Sequence, residues 1–223
     1  MKTLGLILAL TLTFQAEAAT QRFFQDAKFP TQQMIEKQAF GAPVVASASR
    51  LSSAIAGVET VTSVTGLTIS SFTLQPDVPR NLVITPGGTG ADVGTCTITV
   101  TGKNYFNQTI TETFASVANT TTAITGAKAF KSVTSVSMPG ACEDAPYTAS
   151  WSIGVGEKIG LKNCLDSAGD WIQSSVTGAY EATRATMAVD TDEVEKNTAD
   201  FNGTMDGSAP FIGYFMQNYR CNP

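Results

Sequence analysis

The sequence predicts a mainly β protein, a β-sandwich or jelly-roll-like domain with an extended N-terminal arm. Two observations predict this fold class. From residue 60 onward, short segments alternate apolar with polar residues, as half-buried strands do. Turn signals, among them QPD at 75–77, GKN at 102–104 and MPG at 138–140, separate these segments at the spacing of sandwiches and jelly rolls.

The first 18 residues resemble a secretory signal peptide. Lys2 supplies the basic start, an apolar run covers residues 4–14, and AEA at 16–18 matches an A-x-A cleavage site. The run is shorter than the roughly 20 residues that span a membrane, so we expect no stable membrane span. Two alternatives stay open: cleavage after Ala18 gives a secreted protein, and retention gives an apolar arm that docks on a neighbouring subunit.

Residues 19–59 are expected to form an extended N-terminal arm with a short helix at 44–58, in which Leu51 and Ile55 share one face. The arm has no sustained period, yet its phenylalanines are too apolar for a free linker. They are predicted to bury against the main domain or against a neighbouring chain. The candidate partner-contact residues are therefore Phe23, Phe24, Phe29 and Phe40.

Residues 60–223 are predicted to form the β-sandwich domain, in two β portions that separate near residues 140–157. The first portion has predicted strands at 61–64, 67–74, 80–85, 95–101, 109–114 and 133–138, and the second at 149–155, 158–161, 172–176, 180–189 and 210–219. The clearest alternation is in TCTITVT at 95–101, where Cys96, Ile98 and Val100 form the apolar face.

The glycine loop PGGTG at residues 86–90 precedes a strand and not a helix. A phosphate-binding loop opens into a helix whose N–H groups hold the anion, and it ends in Gly-Lys-Ser/Thr. Neither feature follows here. We interpret the loop as a hairpin connection in which Gly87, Gly88 and Gly90 adopt positive φ angles.

The composition argues against nucleic-acid binding and against most catalysis. The net charge is −5, charged residues make up 15% of the chain, and Lys and Arg form no cluster. No basic surface is therefore present to release counterions from nucleic acid. Histidine is absent, which removes Ser-His-Asp and Cys-His nucleophiles and His-ligated zinc. We expect a binding protein and not an enzyme, with no cofactor and no metal.

Two aromatic features have alternative interpretations. FIGYFMQNY at 211–219 is predicted to be a buried terminal strand, because it lacks the interleaved basic residues of a base-stacking platform. Trp151 and Trp171 fit either a core or a carbohydrate site.

The candidate disulfide residues are four widely spaced cysteines that form no C-x-x-C motif: Cys96, Cys142, Cys164 and Cys221. They allow three pairings, which the sequence leaves open. Cys96 suits a buried thiol as well as a bridge, and a bridge from Cys221 would anchor the C terminus. Disulfides would indicate an oxidising compartment.

Running similarity extends over most of the chain after about Gln21. It is carried by QRFFQDAKFPTQQ, QPDVPRNLVITPGGTGADVGTCTITVTGKNYFNQTITETF, TGAKAFKSVTSVSMPG, VGEKIGL and the closing EATRATMAVDTDEVEKNTADFNGTMDGSAPFIGYF. Together these segments resemble a family of tailed-bacteriophage virion structural proteins.

The resemblance implies a head decoration or cement subunit on the capsid surface of the virion. Such a subunit would stabilise the capsid by contacts with the major capsid protein or other virion proteins, as a homo-oligomer such as a trimer. One alternative is a phage tail or fibre component. Another is a secreted β-rich surface or filament-forming module, if the leader is cleaved.

Overall fold

The computed structural model describes residues 35–46, 58–60, 66–144 and 149–216. In these residues the chain consists of strands joined by loops and by 3-10 turns of three residues, without a longer helix. The strands are β1 (Ile35–Ala39), β2 (Val58–Thr60), β3 (Leu67–Ile69), β4 (Arg80–Gly87), β5 (Thr97–Lys103), β6 (Thr109–Ala115), β7 (Ile124–Phe130), β8 (Ser132–Met138), β9 (Ser150–Gly160), β10 (Trp171–Val176), β11 (Ala179–Tyr180), β12 (Thr186–Ala188), β13 (Thr198–Asp200) and β14 (Phe211–Met216).

The described strands form three antiparallel sheets. The terminal sheet has the order β1-β14-β10-β11, and the threonine sheet has the order β3-β8-β5-β6. The central sheet has the order β12-β13-β9-β4-β7, with β2 also paired to β9. The predicted mainly β, sandwich-like fold is confirmed.

The first hydrophobic core combines residues of the central and threonine sheets. Leu82 of β4 and Trp151 of β9 are 0% exposed and belong to the same cluster as Ile98 and Val100 of β5. The alternation in β5 therefore places its aliphatic residues inside and its threonines on the other face. Period-two patterning is what specifies this half of the molecule.

The second core is aromatic and lies under the terminal sheet. Phe201 makes edge contacts with Phe40, Trp171 and Phe211, at ring-centroid distances of 5.6, 5.6 and 5.1 Å. Trp171 also stacks on Phe215 at 5.8 Å. Such edge and stacked pairs add to the stabilisation that burial of the rings provides. The predicted buried C-terminal strand is confirmed for the residues of β14.

Strand β9 passes through both cores, since Val155 belongs to the first cluster and Ile159 to the second. The two predicted strands on either side of Gly156 are therefore one strand, and the two β portions share it where a separation was expected. At Gly156 the space that a Cβ would need is occupied by the side-chain amide of Asn81 on β4. Gly156 therefore permits close packing of β9 against Asn81. In the sequence, the same glycine looks like a turn between two strands.

The middle of the predicted arm, residues 19–59, forms a strand of the terminal sheet. Strand β1 pairs with β14, from Ile35 opposite Met216 to Ala39 opposite Ile212. Alternation did not indicate a strand in IEKQA, because this segment has one partner strand among the described residues and keeps polar side chains. The leader, the earlier part of the arm, most of the predicted helix and the predicted strand at 61–64 lie outside the described residues.

Other strand predictions need correction. Strands β7 and β13 were not predicted, because ITGAKAF and TAD lack a run of large apolar residues. The single strand predicted at 180–189 is two short strands, since Tyr180 pairs within the terminal sheet and Thr186 within the central sheet. The chain changes sheets between them.

The glycine loop is not a hairpin. It leads from β4, which pairs with β7 and β9, to β5, which pairs with β6 and β8, so it crosses from one sheet to another. Of the three glycines predicted to adopt a positive φ, only Gly88 does so, at 85°. Gly90 instead begins the 3-10 turn Gly90–Asp92.

Candidate interaction surface

The outer face of the terminal sheet exposes apolar side chains. In β14, Phe211, Gly213 and Phe215 are buried, while the alternate residues Ile212 and Tyr214 lie on the opposite face. Residues directly opposite in antiparallel strands share a face, so β1 and β11 extend this surface. We call it the terminal face and define it as Ile35, Lys37, Ala39, Gln173, Ser175, Tyr180, Ile212, Tyr214 and Met216.

Two of its residues project strongly. Ile35 is 65% exposed and Tyr180 is 69% exposed. Tyr180 lies edge-on against Tyr214, with ring centroids 6.0 Å apart. Lys37, directly opposite Tyr214, is the charged member of the terminal face as defined. The surface combines aromatic and aliphatic side chains with little charge, which is the composition of the centre of a protein interface.

A second surface, on the threonine sheet, is rich in hydroxyl side chains and has Lys103 at the end of β5. Thr99 stands opposite Thr113 on one side and Ser137 on the other, and Thr101 stands opposite Thr111. These hydroxyl side chains project away from the core residues with which they alternate.

Arg80 ties the segment at residues 43–46 to the sandwich. Its side chain is 0% exposed. Its Nε donates to the Gly156 carbonyl at 2.7 Å, and its Nη1 donates to the Val44 carbonyl at 2.8 Å and to Asp77 Oδ1 at 3.2 Å. Three segments that are distant in sequence therefore meet on one guanidinium. No sequence signal marks this residue, because an arginine after a proline usually lies on the surface.

The three cysteines that the structure describes are all disulfide-bonded. Cys96, directly before β5, is bonded to Cys142, the last residue of the 3-10 turn Gly140–Cys142, with 4.9 Å between their Cα atoms. Cys164 is also disulfide-bonded. The prediction for Cys221 lies outside the described residues. The alternative of a free thiol at Cys96 is wrong, because the 3-10 turn after β8 places Cys142 against the start of β5.

Two buried acidic residues lie beside the first disulfide. Asp92 is 5% exposed and Glu143 is 4% exposed. Neither oxygen of the Glu143 carboxylate has a hydrogen-bond partner. Burial raises the pKa of Glu143, and the negative charge of Asp92 raises it further. Among the described residues, no group of three or more His, Cys, Asp and Glu is arranged to hold a metal ion.

Glu143→Gln is expected to stabilise the protein at pH 7 by about 1 kcal/mol, because it removes a buried charge without a partner. A raised folded-state pKa contributes stability that is present below the unfolded pKa and is lost as the pH rises through the folded pKa. The advantage should therefore shrink as the pH falls through the raised folded-state pKa, and it should be lost below the ordinary value of 4.5. Urea unfolding from pH 4 to pH 8 measures it. Glu157→Gln, at an exposed position on β9, is the control, and an equal effect there would contradict the explanation.

Two cavities flank the segment at residues 43–46. One of about 310 Å³ is lined in part by Asn81, Lys158 and Asp200, and one of about 220 Å³ by Phe201 and Met205. They share Ala46 and Glu157.

The predicted contact residues have different outcomes. Phe40 is 5% exposed and packs in the second core, so its prediction as a partner contact is wrong: β1 pairing turns the ring inward onto Phe201. Phe23, Phe24 and Phe29 lie outside the described residues. The terminal face was missed, because its members come from strands far apart in the chain.

Both tryptophans are core residues. Trp151 and Trp171 are 0% exposed, which excludes the alternative of a carbohydrate-stacking surface.

The part of the chain that the structure describes contains no helix long and apolar enough to cross a membrane. Comparison of the chain with protein-family models, with curated proteins and with solved structures finds no significant match.

Proposed function

We propose that this protein is a structural subunit of a tailed-bacteriophage virion, a head decoration or cement subunit that binds the major capsid protein or other virion proteins. The observation that carries the proposal is the terminal face, an exposed sheet surface with several large apolar residues and one charge. The sequence resemblance supplies the class of partner. Function on this proposal is binding, and homo-oligomerisation is part of it.

The physical basis is burial of apolar surface between subunits. Each Å² of apolar surface removed from water contributes roughly 25 cal/mol, and a standard interface buries about 800 Å² per partner. Much of this is offset by the lost freedom of the partners. A cement subunit acts in many copies at the joints of a closed shell, so modest affinity at each contact is sufficient.

The framework behind the terminal face is rigid. The aromatic core lies directly beneath β14 and packs rings of Phe40, Trp171, Phe201, Phe211 and Phe215 against one another. A preorganised surface loses little conformational entropy on binding. Rigidity of this kind suits a subunit that must hold its geometry on an extracellular particle.

The disulfides also favour a second candidate function. Bridges form and persist in oxidising compartments, and the first 18 residues match a secretory signal. A secreted β-rich surface or filament-forming module would have both features, and it would use the terminal face for contacts between its own copies. A tail or fibre component remains the third alternative.

Quantitative mass spectrometry of purified extracellular particles, with head and tail fractions separated, tests these candidates. The proposal expects the protein in the head fraction, in large excess over the portal protein. Presence in the tail fraction would replace it with the tail alternative. Absence from particles, with a free chain that begins at Ala19 in the medium, would replace it with the secreted module.

Ile35→Lys is expected to weaken binding to heads stripped of this protein at least tenfold, because it places a second cation in the terminal face. Ile35 is 65% exposed, so the fold should be unaffected. Val117→Lys is the matched control, because Val117 is also 65% exposed but follows β6 in the threonine sheet. Co-sedimentation with stripped heads measures both variants. Equal binding by the two would contradict a role for the terminal face.

A further inference from the structure

One buried carboxylate joins a lysine and an asparagine from different sheets. Glu195 lies in the 3-10 turn Val194–Lys196 and is 9% exposed. Its Oε1 accepts a hydrogen bond from Lys128 Nζ of β7 at 3.3 Å, and its Oε2 accepts one from Asn104 Nδ2, directly after β5, at 3.3 Å. An amine and a carboxamide are thus held on the two oxygens of the same carboxylate.

The carboxamide of Asn104 is polarised as well as buried. Asn104 is 1% exposed. Its Oδ1 accepts hydrogen bonds from the backbone N–H groups of Phe106 and Gln108, both at 3.0 Å. Two fixed N–H donors on a carbonyl oxygen form the arrangement that stabilises the oxyanion of acyl transfer. A turn by itself explains these two bonds and the donation from Nδ2 to Gln108 Oε1 at 2.9 Å, but not the second contact of Nδ2, with a carboxylate shared with a lysine.

Lys128 is held as an ammonium in the resting arrangement. Its Nζ also donates to Glu193 Oε2 at 2.7 Å. Burial lowers the pKa of Lys128, but hydrogen bonds to Glu193 and then Glu195 outweigh it, so the pKa is raised. Attack by the amine therefore needs a base in contact with Nζ, and Glu195 provides one.

We propose that Lys128 and Asn104 form an intramolecular isopeptide bond, with Glu195 as the catalytic proton carrier. The Lys128 ammonium gives a proton to Glu195 Oε1, and the neutral Nζ attacks Cγ of Asn104. The charge on Oδ1 is held by the two backbone N–H groups. Glu195 then delivers the proton to Nδ2, the Cγ–Nδ2 bond breaks, and the second proton leaves Nζ. In total, the Lys128 ammonium group and the Asn104 carboxamide become a secondary amide, and one ammonium ion is released. No oxidant is needed.

The bond would join two sheets covalently. Lys128 belongs to β7 of the central sheet, and Asn104 follows β5 of the threonine sheet. The disulfide at Cys96 directly precedes β5, so both ends of this strand would be covalently fixed. A crosslink between sheets resists unfolding under force and heat. The inference goes beyond the proposed function, and it stands whichever partner the protein binds.

The test is mass spectrometry of the purified protein after full reduction and denaturation. We expect a mass lower than that of the sequence by one ammonia, and a digest in which fragmentation joins Lys128 to Asn104. An uncrosslinked mass, with the Lys128 and Asn104 peptides found separately, would overturn the proposal and leave the cluster as a network of hydrogen bonds and ion pairs.

Two glutamine variants separate the catalytic from the structural role. Glu195→Gln keeps the size of the side chain but cannot carry the proton, so we expect the full mass. Glu193→Gln is the matched control: Glu193 contacts Lys128 Nζ, and no contact with Asn104 is found for it. It should retain the crosslink. Loss of the crosslink in both, or in neither, would contradict the role of Glu195. If Glu195→Gln does not fold, the wild-type mass and digest decide alone.

Discussion

Replacing Arg80 with methionine is expected to lower the free energy of unfolding by about 3 kcal/mol. The side chain is 0% exposed and donates to the carbonyls of Gly156 and Val44 and to Asp77. Methionine fills much of the volume but removes the donor from the buried Gly156 carbonyl and from the part-buried Val44 carbonyl, and it leaves the Asp77 carboxylate without this cation. The effect should therefore exceed that of an ordinary core substitution.

Urea unfolding at pH 7, followed by tryptophan fluorescence, measures this effect, because Trp151 and Trp171 report on the two cores. Arg80→Lys is the informative companion. It keeps the charge but has no fork of donors, so we expect it to recover only part of the loss. A change below about 1 kcal/mol for Arg80→Met would show that the guanidinium is not what holds residues 43–46 to the sandwich.

Removing the disulfide between Cys96 and Cys142 is expected to cost about 4 kcal/mol. The two cysteines are 46 residues apart, and chain-entropy theory gives roughly this value for a loop of that length. The double variant Cys96→Ala/Cys142→Ala also loses two buried sulfur atoms, so a small packing loss is added.

Thermal unfolding of the double variant and of the wild type, both without reductant, measures the loss. Wild type in reductant is the second comparison, but it also opens the bridge at Cys164 and should be less stable still. Peptide mapping without reduction should recover Cys96 linked to Cys142. A double variant as stable as the wild type would show that the bridge does not constrain the unfolded chain.

Most of the predicted strands were found because their burial alternates along the chain. Strands β5, β6 and β14 each place apolar side chains on one face, and this pattern depends only on neighbours in sequence. Strands β1 and β7 were missed for the opposite reason. Their small or polar residues are held by pairing with β14 and β4, partners that alternation does not reveal.

The terminal face and the proposed crosslink could not be predicted from the sequence, for the same reason. The terminal face combines Ile35 with Tyr180 and Tyr214, residues from the two ends of the described chain. Glu195 meets Lys128 from 67 residues away and Asn104 from 91 residues away. None of these residues forms a motif in the sequence, and each contact depends on how the sheets are ordered.

The sequence by itself determined the mainly β class, the sandwich-like architecture and the buried C-terminal strand, because alternation and turn chemistry act locally. The tertiary structure alone decided that Phe40 packs inside its own chain, that Cys96 pairs with Cys142, and that β9 contributes residues to both cores. These outcomes follow from strand order and register. Both are set by the total burial that the folded chain achieves, which no short segment encodes.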